Sequence, residues 1–69
     1  MLNVELQRRI RGISQIELGK KLNVDSRYIS GIERGWFRPS RKFRHKCTVF
    51  FGLPEQILFT ELPTPQDKK

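Results

Sequence analysis

An all-α domain of five short helices is predicted by three observations. Apolar residues recur every three to four positions along most of the chain, a glycine or asparagine follows each of four periodic segments, and Ser14, Asp25, Ser40 or Pro54 stands before the next helix. The chain has 69 residues, 36% of them hydrophobic and 30% charged, which is the balance of one small packed domain and not of a disordered tail.

Leu2, Leu6, Ile10 and Ile13 fall at helical spacing, so residues 3–11 are predicted to form a first amphipathic helix ending at Gly12. Ser14 and Glu17 stand in capping-box register, which starts a second helix over residues 15–22 with Leu18 and Leu22 facing inward. Gly19 lies between them, although glycine costs about 1 kcal/mol against alanine inside a helix. The bare position points to a second backbone passing close by.

Asn23 tolerates the left-handed conformation that ends a helix, and Asp25 is a good N-cap for a third helix over residues 26–34 with Ile29 and Ile32 inside. Pro39 disfavours helix at Arg38, and Ser40 can cap a fourth helix whose buried stripe is Phe43, Cys47, Phe50 and Phe51, closed by Gly52. Pro54 opens a short last helix in which Ile57 and either Phe59 or Leu58 return to the core. The domain is therefore expected over residues 1–59, and residues 60–69, polar with two prolines, are expected to be a flexible tail.

Fourteen Lys and Arg against seven Asp and Glu give a formal charge of +7, an imbalance that favours a polyanionic partner. Cys47 is the only cysteine, so no intramolecular disulfide can form, and no Cys/His grouping has zinc-ligand spacing. No metal or cofactor is expected. The apolar run over residues 48–53 falls far short of the ~20 residues of a membrane span, and the N-terminus carries no signal-peptide apolar region. The chain reads as cytoplasmic. Its single histidine and single cysteine make no nucleophile–base pair, and no glycine loop cradles a phosphate, so it does not read as an enzyme.

About three residues join the second and third helices, with a residue lacking a side chain at their crossing, as a helix-turn-helix over residues 14–34 requires. The block QIELGKKLNVDSRYISGIERG, followed by Pro39-Ser40 and FFGLPEQILF, resembles the Cro/C1, or XRE-type, family of phage repressors and bacterial regulators. Gln15, Leu18-Gly19, Leu22, Val24, the pair Ile29 and Ile32, and Glu33-Arg34-Gly35 carry the match. Gly19 stands where the family usually has alanine, and Asn23 where it usually has a turn glycine. The first helix fits less well, its leucine lying one residue further from Gly12 than in the common pattern.

The resemblance implies a compact lambda-repressor-like domain that binds double-stranded DNA in a sequence-specific manner as a repressor-like transcriptional regulator. The third helix would lie in the major groove, with Ser26, Arg27, Tyr28 and Ser30 reading bases. Among these Arg27 is the sharpest candidate, because a guanidinium can take guanine O6 and N7 together. Gln15, at the start of the second helix, falls at the family's backbone-contact position, and Arg34 is also assigned to the backbone.

The run from Gly35 to Lys46 holds Arg38, Arg41, Lys42, Arg44 and Lys46 and no acidic residue, although cations at a helix N-terminus oppose the macrodipole. By the family pattern Arg38, Ser40, Arg41 and Lys42 become phosphate contacts. The family also implies a structural ion pair between Glu33 and an arginine of the first helix, with Arg8 the partner by spacing and Arg9 the alternative. Ile16, Trp36, Phe37 and Phe50 are not needed by a single helical core, and they are candidates for the interface of a homodimer on a two-fold operator. Two rival readings are an antitoxin-type protein-interaction module with secondary DNA binding, and the isolated DNA-binding domain of a longer repressor.

Overall fold

The computed structural model describes residues 1–63, which form five helices: α1 (Asn3–Ile10), α2 (Gln15–Leu22), α3 (Ser26–Glu33), α4 (Arg41–Phe51) and α5 (Glu55–Leu58). The boundaries of α2 to α4 have local causes. At the start of α2 the Ser14 Oγ accepts the Glu17 amide at 3.0 Å, and Glu17 Oε1 accepts the Ser14 amide at 2.8 Å. These bonds hold the Glu17 carboxyl below its ordinary range. Asn23 ends α2 in the left-handed region, at φ 59° and ψ 48°.

Asp25 caps α3 through the Arg27 amide, Ser40 caps α4 through the Phe43 amide, and Gly52 closes α4 at φ 70°. The turn between α2 and α3 is tight enough that a Cβ at Gly19 would stand 2.7 Å from the Val24 carbonyl oxygen. Glycine is the residue that this crossing admits.

Val4, Leu18, Leu22, Ile29, Ile32, Phe43, Cys47, Phe51 and Leu58 make the core, with α2 against α3 and α4, α4 against α5, and α5 back against α1. Of the alternatives Leu58 and Phe59, Leu58 is the fully buried one and Phe59, just past α5, flanks the core; Ile57, expected in the core, is instead 48% exposed, because Leu58 takes the inward position of this single turn. Phe50 is half-buried, its ring edge-on to Phe51 at 4.9 Å.

Two further expectations are corrected. The inward face of α1 is Val4, Glu5 and Arg8, whereas Ile10 is 65% exposed. Arg8 must point inward to meet Glu33, which puts Ile10, two residues and about 200° further round the helix, in solvent. Ile13 still reaches the core because it follows the turn at Gly12 and is free of the phase of α1.

The second correction concerns the start of the polar tail. The Asn3 amide donates to the Thr60 carbonyl at 2.9 Å, the Leu62 amide donates to the Met1 carbonyl at 2.7 Å, and Leu2 and Glu61 form an isolated antiparallel bridge. The Met1 ammonium also meets the Glu61 carboxylate at 2.9 Å. Residues 60–62 thus belong to the folded unit, through main-chain pairing that a polar composition does not disclose. Pro63 is exposed, and residues 64–69 of the expected tail lie outside the described residues.

Among the described residues no helix is long and apolar enough to cross a membrane.

Candidate nucleic-acid interface

The helix-turn-helix is fastened from behind by one buried cation. Arg8 Nε donates to Glu33 Oε2 at 2.8 Å, its Nη2 donates to Oε1 at 2.9 Å, and its Nη1 donates to the Ile13 carbonyl at 2.8 Å. Of the two arginines considered, Arg8 is therefore the partner of Glu33, while Arg9 pairs with Glu5 along α1. Glu33 Oε1 accepts a further bond from Gln15 Nε2 at 2.9 Å, so the end of α3 and the start of α2 are tied through the same carboxylate. Gln15 keeps only its second Nε2 hydrogen and its amide oxygen for an outside contact.

Ser26, Arg27 and Ser30 lie along α3, and Arg34 follows its end. Ser26 and Ser30 are half-buried, and their hydroxyls make no hydrogen bond with other described residues. Arg27 is 90% exposed and folds over the helix start, donating from Nε to Asp25 Oδ1 at 3.2 Å and from Nη2 to Oδ2 at 2.9 Å. The Arg27 guanidinium and amide together hold the Asp25 carboxyl down at about 2. Arg34, just past α3, lies over the Trp36 ring at 5.0 Å.

Tyr28 is placed differently from its expected role at the bases. Its ring is edge-on to Phe43 at 5.3 Å and stacked on Phe37 at 6.1 Å, and its hydroxyl oxygen accepts the Ser40 amide at 2.9 Å. The side chain thus ties α3 to the start of α4. Ser40, with its amide on Tyr28 and its Oγ capping Phe43, is likewise engaged within the fold and retains one hydroxyl hydrogen for a phosphate.

The basic run divides in two. Arg44 donates from Nη1 to the Pro39 carbonyl at 2.7 Å and pairs with Glu55, while Lys46 Nζ caps the end of α2 at the Leu22 carbonyl, 2.9 Å away. Arg38, Arg41 and Lys42 are exposed and have no intramolecular partner among the described residues. Arg41 and Lys42 occupy the first turn of α4, which has no acidic residue, so their mutual repulsion and the helix dipole are left uncompensated among the described residues.

The four apolar candidates for a dimer contact are not gathered in one patch. Ile16 lies beside Gly19 and Lys20 on the outer side of α2; Trp36 and Phe37 lie beside Tyr28 and Arg34 past the end of α3; Phe50 lies beside Leu22 and Val49. Phe37 is partly accounted for by packing, since its ring occupies the place a Gly31 Cβ would fill, 2.2 Å from that position. Trp36 remains 67% exposed.

Sequence reasoning missed two contacts at this surface, the grip of Asp25 on Arg27 and the stacking of Arg34 on Trp36. Asp25 lies outside α3 in extended backbone, so helical spacing gives no sign of the first. A cation and an aromatic residue two positions apart, across Gly35, are the only sequence signal for the second.

Comparison with known proteins gives a family model described as helix-turn-helix that matches residues 4–57. A curated relative from Methanocaldococcus jannaschii, named as an uncharacterised HTH-type transcriptional regulator, is 36% identical over 52 residues, which cover 75% of this chain and 79% of that protein.

Proposed function

This chain belongs to the Cro/C1-type helix-turn-helix family of DNA-binding transcriptional regulators, and we propose that it is a sequence-specific repressor that binds a two-fold operator as a dimer. In this reading α3 enters the major groove. Arg27, Ser26 and Ser30 face base edges; Gln15, Arg34, Arg38, Arg41 and Lys42 take phosphates, with Ser40 adding its hydroxyl; and Tyr28 supports the surface from behind. The observation that carries it is the division of the basic run between Gly35 and Lys46: Arg44 and Lys46 are bonded within the fold, whereas Arg38, Arg41 and Lys42 are exposed without partners among the described residues, beside Ser40, whose amide is bonded to Tyr28 of α3.

Each group suits its task. A serine hydroxyl can donate to or accept from any base edge at short range, and an arginine fork discriminates guanine by roughly 1–3 kcal/mol. Phosphate contacts from two elements, the loop before α4 and its first turn, fix the register of α3 without reading sequence. A dimer places two recognition helices about one turn of duplex apart, roughly 34 Å, and doubles the bases read. Exposed Ile16 on α2, and Trp36 with Phe37 past α3, are separate apolar contacts open to such an association.

Selection of bound duplexes from a random pool, with the molar mass of the complex measured alongside, tests the proposal. A palindromic consensus occupied by two protomers is expected. Failure to enrich any sequence above background would contradict specific binding, and a consensus without symmetry bound by one protomer would contradict the dimer.

A further inference from the structure

We propose that Asp25 is a positioning residue for base reading: it grips one edge of the Arg27 guanidinium and so aims the opposite edge at a guanine. The inference rests on the reading that α3 enters the major groove.

A guanidinium carries five N–H groups, one on Nε and two on each Nη. Asp25 takes the Nε hydrogen through Oδ1 at 3.2 Å and one Nη2 hydrogen through Oδ2 at 2.9 Å. Three hydrogens remain, two on Nη1 and one on Nη2, and the adjacent Nη1–Nη2 pair is a parallel fork matched to guanine O6 and N7. The grip of Asp25 therefore leaves the base-reading edge free. The carboxylate is itself held, because Oδ1 also accepts the Arg27 amide at 2.8 Å as the cap of α3. Helix end, carboxylate and guanidinium form one connected frame, so a side chain 90% exposed and otherwise unpacked surrenders less freedom when it meets a base.

Asp25 has a second effect, of opposite sign. A carboxylate on a surface that faces DNA repels every duplex alike, whatever its sequence. Asp25 therefore weakens indiscriminate binding while it sharpens the guanine contact. A carboxylate that only capped the helix would still repel DNA but would not sharpen the guanine contact.

The two effects separate in Asp25→Asn and Asp25→Ser, both of which keep a good N-cap oxygen and lose the two-point grip on Arg27. Binding is measured at one salt concentration to the selected duplex, to duplexes with each guanine changed to adenine, and to a scrambled duplex. Arg27→Lys serves as the reference for losing the fork. The wild-type chain is expected to prefer guanine at one position per half-site by roughly 10-fold or more.

Both Asp25 variants should lose at least about 3-fold of that preference, at the same position as Arg27→Lys and at no other, while binding the scrambled duplex more tightly than the wild type. Their thermal midpoints should stay close to that of the wild type. A preference that both variants keep, with all duplexes bound more tightly by the same factor, overturns the inference alone and leaves Asp25 as a cap that repels phosphate. A wild-type chain with no guanine preference overturns the groove reading and this inference with it.

Discussion

Arg8 and Glu33, each less than one-tenth exposed, meet in a two-point ion pair, and Arg8 spends its remaining direct bond on the Ile13 carbonyl. Removing one partner of such a pair leaves a buried charge without compensation, which costs roughly 3–5 kcal/mol. Arg8→Ala is therefore expected to lower the urea midpoint by a large fraction of the stability of so small a domain, and Arg9→Ala, which removes a more exposed partner from the largely buried Glu5 carboxylate, to lower it by less. Cys47, fully buried, has its thiol pushed up from 9.0 to about 12 by burial. Between those values the unfolded chain loses a proton that the folded chain keeps, so stability should fall as pH rises above about 9. At neutral pH a thiol reagent should label Cys47 only at the rate at which the core opens, and rapid labelling of the folded protein would contradict this placement.

Among the elements, the crossing of α2 and α3 bears most directly on DNA binding, because it sets the angle at which α3 is presented. Gly19→Val places a branched side chain where even a Cβ lies 2.7 Å from backbone, and the turn has to open; a loss of about 1–3 kcal/mol is expected, read by thermal denaturation, together with weaker DNA binding. This crossing was legible in the sequence because it is local: Gly19, the left-handed Asn23 and the Asp25 cap lie within seven residues. The starts of α2 to α5 were legible for the same reason, each resting on a capping serine, aspartate or proline and on apolar spacing. The face of α1 was not, since the pull on Arg8 comes from a residue 25 positions away. Nor was the pairing of residues 60–62 with the N-terminus, which uses main-chain groups common to every residue type. At the candidate interface, polarity and spacing picked out the exposed side of α3, but not that Tyr28 lies between two phenylalanine rings, since a tyrosine suits a core edge and a base contact equally.

For the whole molecule, a charge of +7 attracts any polyanion, and specificity of placement depends on which cations are free to meet it. Five cations between Gly35 and Lys46 look equivalent in the sequence; the fold employs Arg44 and Lys46 internally and leaves Arg38, Arg41 and Lys42 outside. Each phosphate neutralised contributes about −0.9 to the slope of log K against log[salt]. Arg41→Ala should thus flatten the slope by about 0.9 for each bound protomer and weaken all duplexes alike, without moving base preference. Arg44→Ala, three residues along the same helix, should instead lower stability through loss of its bonds to Pro39 and Glu55 and leave the slope nearly unchanged. A change near 1.8 for Arg41→Ala would also count two protomers on the duplex, independently of any mass measurement. Equal slopes for wild type and Arg41→Ala would remove Arg41 from the phosphate contacts, and a flattening by Arg44→Ala as large as that by Arg41→Ala would show that the internal bonds of Arg44 give way to DNA.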